Sequence, residues 1–323
     1  MSNSTISLKS NLIKIIKLDL FRLLFPIIIL CLSLSLLSPN FLTVNNLTNI
    51  LVNAAPLALA ATGLTLVIIC GDLDLSVGSN MALVSTASAL LMANFGLSIF
   101  LAFGAGLIIG AFVGFVNGLL SVKINIPSFI VTLAMMSVAR GIALVLSDGS
   151  AVTNLPESVT NISSGRFLGL SFIIWIPILI VPIVGYLLSR TVLGLNIYSI
   201  GGNKEAAILA GVPESKTRIL ALTISGFMAG FAGIISTSRL GVGSPIIAED
   251  LILDAIAAVV IGGTSLFGGI GKITGTILGV LLIAIIRNGL VLLNVSPFYQ
   301  KVAIGIVILI ASIIDALGRK RNL

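Results

Sequence analysis

Apolar runs of membrane-spanning length recur along almost the whole chain, and they leave few folds open. In order they cover roughly 18–38, 49–70, 75–93, 98–120, 128–147, 171–190, 216–238, 251–263, 272–293 and 298–317. A helix of about 20 apolar residues matches the hydrocarbon thickness of a bilayer, and in lipid only helices and closed barrels satisfy the backbone. Only 9% of the 323 residues are charged, where a soluble domain carries about a quarter. The expected fold is therefore an all-α polytopic membrane protein with about ten transmembrane helices facing lipid. It forms a single domain over 1–323 with no soluble module. The run at 251–263 is short for a crossing, so a broken or re-entrant element is expected there.

Charge sets the orientation. Lys9, Lys14, Lys17 and Arg22 precede the apolar Phe25–Leu37 in the manner of a signal peptide. No convincing small-residue cleavage site follows, and the segment reads as a retained first span. With the amino terminus in the cytoplasm, Lys123, Arg190, Lys204, Lys216, Arg218, Lys272, Arg319, Lys320 and Arg321 also fall inside. Only Arg166, Arg239 and Lys301 fall outside, while Arg140 and Arg287 lie within spans. Such asymmetry places both termini in the cytoplasm. It also accounts for the net charge of +7 without nucleic acid, because the cations are scattered singly between spans. Histidine is absent, which excludes histidine-based acid–base catalysis and histidine metal sites. Cys31 and Cys70 are far apart in apolar runs and read as inert buried thiols.

One polar stretch, about 191–215, interrupts this pattern. Asn203 is suited to cap a helix, Glu205 falls in the first turn where the helix dipole favours an acid, Gly211 suits a left-handed close and Pro213 stops continuation. About two turns of helix do not persist alone in water, so the apolar patch Ala206–Ala210 must dock on something. On this reading Ala207→Glu would leave the spans folded and disrupt that docking.

Two other motifs suggest chemistry and do not supply it. Gly71-Asp72-Leu73-Asp74-Leu75-Ser76-Val77-Gly78 opens like a calcium loop. It has Val77 where such a loop needs glycine and Leu83 where it needs glutamate. The glycine-rich Gly262–Lys272 resembles a phosphate cradle, but Leu266 replaces the first glycine of a P-loop and Ile273 the serine or threonine. No ATP is bound by such a site, and the segment reads as a tight turn. Gly106, Gly110, Gly114 and Gly118 line one face of the fourth span, and Gly226/Gly230 and Gly275/Gly279 repeat the device, which predicts close helix packing. Arg140, Asp254 and Arg287 fall within spans, where a charge costs about 2.5–3.5 kcal/mol on insertion scales. Each should therefore face the bundle interior or water, lining a path or pairing with a carbonyl or carboxylate. Asn117 and Asn288 read as interhelical glue or path residues.

Taken together, these residues resemble the permease subunits of ribose-type (simple monosaccharide) ABC importers from Leu37 through the last span. The motifs carrying the resemblance are Leu64–Gly78, Pro127–Leu133 with Arg140-Gly141, and Leu253–Ser265, which is similar almost residue for residue. The resemblance implies that Gly201, Gly202, Asn203, Lys204, Glu205, Ala206, Ala207 and Gly211 belong to a cytoplasmic coupling loop. Its short helix would lie in a cleft on an ATP-binding subunit. It further implies a permease dimer, expected to be a homodimer, and an extracytoplasmic sugar-binding protein, with transport by alternating access. No cofactor is expected, and the chain itself is not an enzyme. Path or gate candidates are Asp74, Ser76, Arg140, Asp254, Arg287 and Asn288. The chain departs from the family pattern at Asp72 (usually Gly), Ile208 and Ala210 (commonly Arg and Ser), Ile252 (often Glu) and Arg287 (often Asn). A rival reading is a secondary transporter coupled to H⁺ or Na⁺ through Asp74 or Asp254. An intramembrane enzyme would need a nucleophile–base pair, and none is recognisable.

Overall fold

A computed structural model describes residues 24–306 and 309. The basic residues before 24 and after 309, and the ends of the first and last predicted spans, lie outside the described residues. The helices are α1 Leu24–Leu37, α2 Val44–Ile69, α3 Val77–Ala93, α4 Ile99–Lys123, α5 Ser128–Leu146, α6 Glu157–Ser164, α7 Phe172–Arg190, α8 Val192–Gly202, α9 Lys204–Leu209, α10 Glu214–Leu240, α11 Leu251–Ile261 and α12 Ile273–Leu292. Residues 297–306 are helical as well. Among the described residues, α2, α4, α5, α7, α10 and α12 are long and apolar enough to cross a membrane. The protein is thus all-α and polytopic, with one two-stranded hairpin among the described residues (β1 Arg166–Phe167, β2 Leu170–Ser171), before α7.

Two helices form the centre. α2 is buried along most of its length, and α10 packs on α4, α2 and α3. The outer helices turn large apolar side chains outward, including Phe100, Ile108, Phe112 and Val145. Small and hydroxyl residues such as Thr62, Thr65, Ser85 and Thr86 are fully buried. This inverts the pattern of a soluble protein, because lipid tails are as apolar as leucine and association depends on close packing and interhelical hydrogen bonds.

The predicted glycine face of α4 does what its spacing suggests. A Cβ at Gly110 would lie 2.7 Å from the Gly226 carbonyl oxygen of α10, and one at Gly114 would collide with the Leu222 carbonyl. Asn80 of α3 donates to the carbonyls of Gly110 (3.1 Å) and Gly226 (3.3 Å), stitching three helices at this crossing. Gly275 and Gly279 bring α12 against the Gly262 and Ala258 carbonyls in the same way.

The short eighth run is an 11-residue helix, α11, about 16 Å long and roughly half a bilayer core. The irregular segment 241–250 precedes it. Backbone of this kind is tolerated at membrane depth only inside protein or along a cavity. Here Arg140, in the middle of α5, donates to the Pro245 carbonyl and to that of Ile247 (3.0 Å).

The stretch around 191–215 holds two helices where the sequence suggested one. Ahead of the short one, a second helix, α8, runs from Val192 to Gly202. Thr191 caps it, and Ile197 and Ile200 are buried in the core.

Candidate functional site

Two polar regions lie at opposite ends of α10, about 40 Å apart by helix rise. The first is a cavity of about 590 Å³ walled by α2, the end of α10, segment 246–250, α11 and α12. Pro56 lines it from within α2. Asp254, one turn into α11, pairs with Arg287 of α12 at 2.5 Å, and the Arg287 Nε is buried without a hydrogen-bond partner among the described residues. The neighbouring Asn288 exchanges two hydrogen bonds with Asn46 of α2, at 3.0 and 2.7 Å. Arg239, Glu249 and Asp250 complete the charged lining. Lys301 reaches Asp250 at 2.8 Å. The wall thus carries both cationic and anionic side chains, and offers donors as well as acceptors.

The sequence-derived candidates divide sharply here. Asp254, Arg287 and Asn288 come together on this cavity. Asp74 and Ser76 do not. Asp74 is buried and accepts from the Ser76 amide (3.0 Å), the Ser76 hydroxyl (2.6 Å) and the Ser225 hydroxyl (2.8 Å). Asn117 in turn donates to Ser76 (2.9 Å), so this cluster knots the start of α3 to α4 and α10. Arg140 also stays off the cavity lining and instead holds the segment that forms one wall. Sequence reasoning passed over Glu249, Asp250 and Asn46. The adjacent acids just before a half-length apolar run were the available signal. Nothing local tied Asn46 to Asn288.

The second region is the junction of α8, α9 and the turns at Cys70–Asp72 and Gly262–Lys272. Asn203 caps α9, its side chain accepting from the Ala206 amide at 2.9 Å. Glu205 sits in the first turn, and Gly211 is left-handed at φ +83°. The docking patch needs a correction: Ala207 is 5% exposed and belongs to the chain's own core. The other residues of the Ala206–Ala210 patch face outward, Ile208 and Leu209 most prominently at 48% and 90% exposed. A helix of under two turns with apolar residues all round does not disclose from sequence which side faces in.

Gly201 packs against the Ile69 carbonyl so tightly that a Cβ there would overlap it. Gly269 donates its amide to the same carbonyl at 2.8 Å, and Tyr198 donates to the Gly271 carbonyl at 2.7 Å. The glycine-rich turn is therefore packed against α8 and the end of α2. Asp72 is buried. Arg218 Nε and Nη2 donate to its two oxygens, each at 2.7 Å. Burial and the nearby Asp72 carboxylate push the Cys70 thiol up to about 12, so it stays neutral beside this pair.

Known proteins match most of the chain. A family described as "branched-chain amino acid transport system / permease component" matches residues 46–312. A ribose import permease protein from Haemophilus influenzae is 39% identical over 305 residues, 93% of this chain and 94% of that protein. The ribose import permease protein of Bacillus subtilis is 44% identical over 301 residues, covering 93% and 92%. An L-arabinose ABC transporter permease protein from Azospirillum brasilense is 38% identical over 296 residues, covering 91% and 87%. No solved structure matches the chain.

Proposed function

The chain belongs to the branched-chain amino acid transport system / permease component family, and on that premise we propose that it is the membrane-spanning permease of a bacterial ABC importer carrying a monosaccharide inward. The observation that carries this reading is the likeness, over more than nine-tenths of the chain, to permeases named for ribose import. It is a multi-pass protein of the bacterial inner membrane, and ATP is hydrolysed on a separate subunit. The cavity fits the reading. Its 590 Å³ is in the range of small-molecule sites, and a lining that holds both donors and acceptors suits a neutral polyhydroxylated molecule.

About ten spans with both termini in the cytoplasm put Lys204, Arg218 and Lys272 inside and Arg239 outside, in keeping with the basic-residue asymmetry. The cavity then opens outward toward a sugar-binding protein. The α9 helix faces the ATP-binding subunit, presenting Ile208 and Leu209 to an apolar groove. A homodimer would present two such helices. Among the path candidates, Asp254, Arg287 and Asn288 contact the sugar, while Asp74, Ser76 and Arg140 hold the surrounding helices.

Uptake of labelled ribose, arabinose and other monosaccharides by cells with and without this chain tests the proposal. Loss of ATP-dependent uptake of one sugar is expected, and unchanged uptake across the panel would contradict it. In the same assay, Arg287→Asn removes the cation beside Asp254. It should shift the ratio between sugars by about tenfold, the worth of one charge-assisted hydrogen bond. An unchanged ratio would show that Arg287 does not select.

A further inference from the structure

One polar network at the Lys204 end does not line the sugar cavity and reaches α9 only through Lys204. Arg218, one turn into α10, meets Asp72 of the α2–α3 turn through two parallel hydrogen bonds, with side-chain exposures of only 11% and 6%. Its Nη1 donates to Glu214 Oε1 at 2.8 Å. The same oxygen takes the Lys204 ammonium at 2.9 Å, and Lys204 is the first residue of α9. A continuous series of charged contacts thus runs from the α2–α3 turn, across the first turn of α10, to the short helix. Beside it lies a cleft of about 320 Å³ walled by Cys70–Asp72, residues 200–204, Arg218 and Phe267.

A bidentate guanidinium–carboxylate pair fixes orientation as well as distance, and burial protects it from salt screening. At its far end, α10 supplies Ser236, Arg239 and Leu240 to the cavity wall. By backbone alone, α9 joins α10 only through residues 210–213, a turn closed by the left-handed Gly211. Such a turn defines a connection but does not make two helices move together.

We infer that Arg218 is a positioning residue for transport. With Asp72 and Glu214 it locks α9 to α10 and to the α2–α3 turn, so that displacement of the short helix is carried into the helix that walls the cavity. The inference rests on the proposed docking of an ATP-binding subunit on α9. Its test uses the intact importer in proteoliposomes with sugar-loaded binding protein, and reads sugar transported per ATP hydrolysed. Asp72→Asn keeps the side chain's shape and should lower that ratio about tenfold, within the range seen for residues in coupling networks, while the ATP-binding subunit still co-purifies. Lys204→Gln, at the exposed end, should lower it about threefold, and the double variant should fall no further than Asp72→Asn alone, since both changes cut one series of contacts. A wild-type ratio in both single variants, or effects that multiply in the double variant, overturns the inference. If Asp72→Asn does not assemble, Lys204→Gln and Glu214→Gln decide it by the same ratio. Failure of the wild-type chain to hold an ATP-binding subunit would instead overturn the docking reading beneath it.

Discussion

Leu209→Glu should leave the protein folded and cut sugar uptake by about thirtyfold or more, the cost of losing one interface hot spot. ATP hydrolysis should no longer respond to sugar-loaded binding protein. Leu209 is 90% exposed, so a carboxylate there meets water in the isolated chain and costs the fold nothing appreciable. In the assembled importer the same carboxylate would be pressed into an apolar groove, where an unpaired charge is expensive. Ala207 is the wrong position for this experiment. It lies in the chain's own core, and a glutamate there would disturb α8 and α10 before any partner bound. Uptake by Leu209→Glu at the wild-type rate would show that α9 does not carry the contact.

Gly114→Val should have the largest effect on assembly, with little or no folded protein recovered from the membrane. At Gly114 an added Cβ meets the Leu222 carbonyl and the Gly226 Cα of α10. These are backbone atoms, with no flexible side-chain end to swing aside. Overpacking usually costs about 1–3 kcal/mol, and this site is at or beyond the upper end because α4 and α10 would have to separate along the crossing that Asn80 stitches. Gly104 is a control on the same helix, since a Cβ there meets nothing within 4 Å among the described residues. Gly104→Ala should accumulate normally. Equal recovery of Gly114→Val and wild type, measured by gel filtration of detergent-solubilised protein, would contradict the packing account.

What the sequence disclosed and what it hid follow one physical division. Features set by neighbours along the chain were legible. The Asn203 cap and the Gly211 close depend on residues three to eight apart, and the α4 glycine face is a four-residue spacing. The short run before Gly262 likewise announced a half-length helix. Features set by distant partners were not legible. Asp72 and Arg218 are 146 residues apart, so nothing in the motif around Asp72 pointed to its partner. Asn46 and Asn288 are 242 apart. Asp74 and Asp254 looked alike as acids near span ends, yet three hydrogen bonds absorb the first into helix packing while the second faces a cavity. Only the fold separates them. The resemblance to sugar importers supplied the function ahead of either region, because it rests on motifs spread along the chain, such as Leu64–Gly78 and Leu253–Ser265, and not on the chemistry of one residue.

The central claim is that this chain moves sugar only when ATP is hydrolysed by a partner docked on α9. The most direct measurement is uptake of labelled sugar into proteoliposomes holding the chain alone, or the chain with its ATP-binding subunit and sugar-loaded binding protein. Uptake is expected only in the complete assembly with ATP present, and imposed proton or sodium gradients should have no effect on the chain alone. Gradient-driven uptake by the chain alone would contradict the account and mark it as a self-sufficient secondary transporter.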